Sequence, residues 1–342
     1  MLRRFFGLLS PVGTQARLSI LIFHRVTPQP DPLFPGEVDS SAFDAICTWV
    51  KRWMNVLPLD QAIGRLAAGD LPERALCITF DDGYADNHDV ALPILQRHGL
   101  NAAFFIASGF IDGGCMWNDR VVEAMRLCSR TSLVLPEGLV PGVGTLDLSE
   151  WELRKRAVDT LLNAMKYLPG GQRLQCADAV VQAAGVVLPD DLMMSTAKVA
   201  ALAGAGMVVG GHTVNHPILA RLDEREALHE MMAGRRAVEN MVQRAVTLFA
   251  YPNGRPEVDY TGRDVALVGR AGFTAAVSTA RGVSGAGADL FQLPRFTPWD
   301  QNRLRFGLRL ALNYRTAVQT SARPDRARGG GSIAAARDGT PT

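Results

Sequence analysis

The chain has 342 residues, 47% hydrophobic and 20% charged, enough to bury one large α/β domain with insertions or two modest ones. Its 36 basic and 34 acidic residues leave a formal charge of +2, without the basic excess that a dedicated nucleic-acid binder shows. Five cysteines (Cys47, Cys77, Cys115, Cys128, Cys176) form no C-x-x-C pair and read as free thiols of a reducing compartment.

The first residues, Met1-Leu2-Arg3-Arg4-Phe5-Phe6-Gly7-Leu8-Leu9, start like a secretory signal but end at Ser10-Pro11 without a small-residue cleavage site. No apolar run is long enough to span a bilayer. The expectation is a cytoplasmic protein whose residues 2–9 touch a membrane surface at most. Leu18 to Phe23 is a buried strand, followed at once by His24-Arg25-Val26. Four prolines between 28 and 35 make the next stretch a loop. Asp39 or Ser40 caps a helix to about Met54, and a second helix runs from Asp60 to Ala68. Leu76-Cys77-Ile78-Thr79-Phe80 is a second buried strand, ending in Asp81-Asp82-Gly83-Tyr84. Asp86 or Asn87 then opens a helix that stops at His98-Gly99, and Ala102 to Ile106 is a strand.

Residues 120–192 read as a helical insertion, within which Ser149-Glu150-Trp151-Glu152 looks like a capping box. The βα rhythm returns with a helix from Ser195, a strand over Met207–Gly211 and the segment His212-Thr213-Val214-Asn215-His216-Pro217. A long helix from Asp223, a strand over Val246–Ala250, Tyr251-Pro252-Asn253-Gly254, a helix over Asp259–Ala271 and strands near Thr274–Ser278 and Phe291–Phe296 follow. Residues 1–315 are expected to form the folded domain, and 316–342 a disordered tail.

Alternating strands and helices imply α/β architecture with a parallel sheet, either doubly wound or closed into a barrel with an irregular unit. In both, sites form beyond the carboxyl ends of the strands. His24, Asp81, Asp82, His212, Tyr251 and Asn253 each follow directly on an expected strand, so the sheet would gather them on one face.

Two adjacent acids at the open end of a buried strand repel unless a cation or a proton lies between them. A solvated Asp-Gly turn is the plain alternative. His212 and His216 would complete a three-ligand set of two imidazoles and one carboxylate, from Asp81 or Asp82, with the other aspartate free to act as a base. The H-E-x-x-H zinc-protease reading fails, because position 213 is threonine and Pro217 follows at once. His88, His98 and His229 fall on helices and read as surface or packing residues. Trp117 either lines a groove or anchors the insertion.

T-F-D-D-G-Y followed by H-T-V-N-H resembles the polysaccharide deacetylase family, carbohydrate esterase family 4, with the NodB-type homology domain, over roughly residues 18–300. The resemblance implies a distorted (β/α) barrel of about seven parallel strands. It implies Zn2+ or another divalent metal on Asp82, His212 and His216, with Asp81 as general base. The implied reaction is removal of N-acetyl groups from an amino-sugar polysaccharide, an N-acetylated glycan, releasing acetate. F-H-R-V looks like the branch acting on bacterial exopolysaccharides. Asn253 or Tyr251 would offer an N–H to the oxyanion.

The chain departs from the family pattern at three motifs: Asn253 stands with Ala250 in the altered third motif, the usual late Asp/Trp motif is not visible near Thr274 to Gly282, and the late L-x-H motif is changed. Ala250 stands where many members have an arginine that orients the catalytic aspartate, and Leu293-Pro294-Arg295-Phe296 replaces the late L-x-H motif. Arg295 is therefore expected to stand in for the arginine and His24 for the acid. The competing functional readings are hydrolysis of a non-sugar amide and a catalytically weakened glycan-binding protein.

Overall fold

The computed structural model describes residues 2–300 and 302–321. Its strands are β1 (Ser19–Phe23), β2 (Asn55–Val56), β3 (Ala75–Phe80), β4 (Ala103–Ile106), β5 (Ser132–Val134), β6 (Thr145–Asp147), β7 (Val208–Gly211), β8 (Leu248–Ala250) and β9 (Ala275–Val277). Its helices are α1 (Leu2–Leu9), α2 (Ser40–Trp53), α3 (Leu59–Ala68), α4 (Leu92–His98), α5 (Trp117–Leu127), α6 (Trp151–Met165), α7 (Gly170–Ala184), α8 (Thr196–Gly204), α9 (Glu224–Val242), α10 (Gly262–Arg270) and α11 (Arg303–Asn313).

The main sheet runs β1-β3-β4-β7-β8-β9, with β2 also on β3, and every pairing in it is parallel. Parallel strands covered on both faces need unbroken apolar runs, and β1, β3, β4, β8 and β9 are buried at every position. The sheet curls until its two edges share one irregular segment. Leu293 pairs with Val277 of β9 and Phe296 with Leu21 of β1, both in parallel sense. The expected last strand is thus a two-point closure rather than a regular strand. Pro294, which has no N–H, sits between the two points. The result is the distorted (β/α) barrel.

Caps follow the sequence in part. Asp39, Ser195 and Asp223 accept from backbone N–H groups of α2, α8 and α9, and Gly99 ends α4 at φ 64°. The capping box expected at Ser149 does not form. Ser149 bonds instead to Asp147 on the preceding strand, and α6 starts after Glu150 without a side-chain cap. α10 begins after Thr261, not at Asp259, whose carboxylate is taken by Arg255.

The insertion is a separate layer. α5, α6, α7 and the β5–β6 hairpin enclose their own apolar core, including Val121, Met125, Leu161 and Val180. The boundary expected at 315 falls short. Ser321 is buried and its backbone N–H and C=O both pair with the Gln292 side chain. Residues 322–342 of the expected tail lie outside the described residues. All five cysteines are buried free thiols. No helix of the described residues is long and apolar enough to cross a membrane.

Candidate active site

The parallel strands deliver their carboxyl ends to one cavity of about 510 Å³, walled by the barrel on one side and the insertion on the other. His24, Asp81, Asp82, His212, His216, Asn253 and Trp117 all line it. Arg295 lies beneath, fully buried.

The two aspartates at the end of β3 have different partners. Asp81 is clamped by Arg295, whose Nη1 and Nη2 donate to its two oxygens at 2.7 Å each. The guanidinium is fixed in turn by Nε donation to the Ser278 carbonyl and Nη1 donation to Thr79 Oγ1. Burial is the largest single influence and would raise the Asp81 pKa, but the charge and hydrogen bonds of Arg295 together with the nearby imidazoles outweigh it and hold the carboxyl below its ordinary range.

Asp82 points the other way. Its Oδ1 is buried without a hydrogen-bond partner, 3.4 Å from His212 Nε2 and 3.5 Å from His216 Nε2. One ligand atom from each of the three residues lies within 4.8 Å of the others. His212 Nδ1 is 2.7 Å from the Ala250 carbonyl, which can only accept, so Nδ1 carries a hydrogen and Nε2 faces the carboxylate. Unless a proton or a cation lies between them, two lone pairs meet in a buried space. The spacing fits a cation, since ligands about 2.1 Å from a tetrahedral ion are roughly 3.4 Å apart. Burial pushes the His216 pKa down to about 4, so the imidazole is neutral and able to ligate at neutral pH. Asp82, despite burial, is held below its ordinary range by the two imidazoles.

The backbone is bent to make this arrangement. Asp82, Thr213, His216 and Asn253 all have left-handed φ, at 77°, 67°, 50° and 58°. Such conformations cost free energy in non-glycine residues and persist where surrounding contacts impose them. The His212–His216 loop is held by a residue the sequence reading passed over. Glu230 of α9 accepts from the N–H groups of Val214 and Asn215 and from the Asn215 side chain. Gly234, one turn further along α9, lets the helix lie against Thr213; a Cβ there would sit 2.7 Å from the Thr213 carbonyl. Neither residue carries a motif, so only tertiary contact reveals it.

The other expected site residues separate. His24 is exposed at the cavity rim. Trp117 lines the cavity under the Arg173 guanidinium, 4.9 Å from the ring centroid, and also packs against the insertion core. Tyr251 is a correction. Its N–H donates to the Val277 carbonyl, continuing the sheet, and its ring stacks on Tyr260 inside the core, so neither reaches the cavity. Asn253 is the member of that segment that does. His88 and His98 bond to Asp89 and Asp44, and His229 is exposed.

The insertion adds Asp119 to the wall. Its Oδ1 accepts from the Tyr84 hydroxyl at 2.9 Å, and its Oδ2 is buried without a partner. Burial, reinforced by the Asp82 charge, lifts its pKa to about 7.

A family model described as polysaccharide deacetylase matches residues 68–134 and 177–276, taking in the aspartate pair and the histidine pair. The chain belongs to the polysaccharide deacetylase family. The match skips residues 135–176, so the family's common part omits β6, α6 and the start of α7. YxkH of Bacillus subtilis, whose name places it among polysaccharide deacetylases, is 28% identical over 93 residues, 27% of this chain. The matched part is 32% of the length of that curated relative. Among solved structures, IcaB from Ammonifex degensii is similar with a TM-score of 0.56 at 16% identity, over 87% of this chain and 98% of that one. The deacetylase PplD of Streptococcus pyogenes, solved with acetate, gives 0.54 at 18% identity over 82% and 92%. A de-N-acetylase from Aggregatibacter actinomycetemcomitans gives 0.53 at 14% over 82% and 94%. These likenesses place the fold as that of the deacetylases, with the barrel reaching well beyond the stretches matched by the family model.

Proposed function

We propose that this chain is a metal-dependent hydrolase that removes N-acetyl groups from an amino-sugar polysaccharide or its precursor, releasing acetate. The observation that carries it is the division of labour in the aspartate pair: Asp81 locked by a buried arginine, Asp82 left open toward two imidazoles. Zinc is the metal that best suits one carboxylate and two imidazoles at this spacing. Bound there, it would supply a Lewis acid that polarises the amide carbonyl and acidifies a water.

The chain's own groups do the rest. Asp82, His212 and His216 form the ligand set. Asp81 keeps a lone pair on each oxygen beyond those used by Arg295, and takes the proton from the attacking water. Arg295 keeps Asp81 ionised and fixes its plane, as the expected replacement for the missing arginine at Ala250. Asn253, which lines the cavity at a left-handed φ of 58°, is the donor assigned to the oxyanion in place of Tyr251. His24 at the rim is assigned to protonate the departing amine. The groove between barrel and insertion, with Trp117 in its wall, suits a sugar chain, whose faces stack on aromatic rings.

The reading is tested by acetate release from N-acetylglucosamine oligomers. Activity is expected with zinc-loaded protein, to be lost on chelation and to return when zinc is added back. Metal-loaded protein that releases no acetate from any N-acetylated glycan would contradict it.

A further inference from the structure

The face formed by α1 and α11 carries a feature the active site does not account for. Both helices rest on the same tryptophan. Phe6 of α1 and Phe306 of α11 stack on Trp53 at 6.2 and 6.1 Å between ring centroids, and Gly307 lies against Leu2 and Trp53. Their opposite sides therefore point away from the body together. On α11 that side is a leucine stripe at intervals of four: Leu304 is 73% exposed, Leu308 61% and Leu312 53%. On α1 it includes Leu8, 82% exposed, and Phe5. Single exposed leucines are ordinary on a protein surface, but a stripe over three helical turns continued by a neighbouring helix is not.

The two helices themselves carry charge of one sign, with Glu73 beside α1 and Asp300 beside α11 as the neighbouring acids. α1 holds Arg3 and Arg4 and no acid; α11 holds Arg303, Arg305 and Arg309 and no acid. Arg3 and Arg4 are exposed and have no carboxylate partner among the described residues. Of the α11 arginines, Arg305 and Arg309 share Asp300, and Arg303 sits over the Trp53 ring. Exposed Trp299 stands at the end of the patch, where an amphipathic ring suits a boundary between water and hydrocarbon. An apolar stripe fringed by arginine is the pattern of a helix lying in a lipid interface, with leucines in the acyl boundary and arginines at anionic headgroups.

We infer that the α1–α11 face docks on an anionic lipid bilayer surface. The site's orientation follows from Trp299. It borders a surface cleft with Pro35 and Gly36, and the neighbouring loop residues Phe34 and Glu37 line the catalytic cavity. A bilayer on this face therefore lies next to one rim of the groove, without covering it. The docking surface shares no residue with the proposed catalytic set, so the two readings stand or fall separately.

The test is co-sedimentation of the purified full chain with vesicles of phosphatidylcholine alone and with about 30% phosphatidylglycerol, at low and high salt. Binding is expected to the anionic vesicles, weaker by about tenfold or more with neutral lipid or high salt. L304S/L308S/L312S should lower binding by a similar factor, about tenfold, with unchanged circular dichroism. R3E/R4E, at exposed positions, should weaken binding independently and serves if the leucine variant unfolds. Equal binding by wild type and both variants, or none by wild type, overturns the inference. A concentration-dependent dimer in sedimentation velocity, lost in the leucine variant and unaccompanied by lipid binding, also overturns it and gives the face to a second copy. Acetate release by all variants in solution should match wild type.

Discussion

At the scale of single residues, the site turns on how two neighbouring carboxylates avoid each other. Asp81 and Arg295 form a buried bidentate pair in which four of the five guanidinium N–H groups meet acceptors, two on Asp81 and one each on Ser278 and Thr79; such hydrogen bonds are what a buried ion pair needs to hold. Removing the arginine leaves an uncompensated charge. Arg295→Met is expected to destabilise the fold by roughly 3–5 kcal/mol and to abolish activity. A denaturant midpoint within error of wild type would show that the clamp is not structural. Asp119 supplies a pH signature in the metal-free protein. Its folded pKa of about 7 lies above the ordinary 3.8, so between these values the folded state holds a proton that the unfolded state has lost. Stability should therefore fall as pH rises from about 4 to 7, with a contribution of up to about 1.4 kcal/mol per pH unit. Asp119→Asn should remove that slope and gain stability at pH 7. An unchanged slope would mean the carboxyl titrates normally. The pairing of Arg295 with Asp81 was legible in the sequence because Arg295 occupies the place of the late motif's histidine, on a segment expected to join the sheet. Tyr251 was misread because a residue one step beyond a strand still spends its N–H on the ladder, which strand-end position alone does not reveal.

At the scale of elements, α9 is the support for the His212–His216 loop, which carries two of the proposed metal ligands. It contributes Glu230 as a three-bond acceptor and Gly234 as the point of closest approach. The competing effects in Gly234→Ala can be ranked. Alanine gains up to about 1 kcal/mol of helix propensity. The added Cβ meets backbone at 2.7 Å, which no side-chain rotation can relieve. We expect the contact to win, pushing Thr213 and its flanking histidines outward and lowering zinc affinity by about tenfold or more. Isothermal titration would check this, and an affinity equal to wild type would free the loop from dependence on α9. Helix starts marked by Asp39, Ser195 and Asp223 were readable because cap and helix are contiguous in sequence. The false box at Ser149 shows the limit. A nearer acceptor on the preceding strand, Asp147, takes the hydroxyl, and the four-residue pattern does not contain it.

At the scale of the whole molecule, the barrel and the gathering of His24, Asp81, Asp82, His212 and Asn253 at one cavity were readable because a parallel sheet places every strand end on one side. A continuous apolar run followed by a polar residue is visible without coordinates. The closure was not readable. The 293–296 segment joins β9 to β1 at one residue each, and two contacts leave no periodicity in sequence. The same holds for the docking of Ser321, whose bonds run to Gln292 across the fold. The insertion was recognised as an interruption of the βα rhythm, yet its delivery of Asp119 to the catalytic wall needed its packing.

Asp82 and Asp81 are proposed to have unequal roles, and the most direct test is bound zinc per chain measured together with acetate release in Asp81→Asn. Zinc is expected to be retained at the wild-type ratio and turnover to fall by about a thousandfold or more, the range for losing a positioned base along with its clamp. Asp82→Ala, in the same measurement, should lose both. Asp81→Asn with normal turnover, or with its zinc lost, would contradict the assignment.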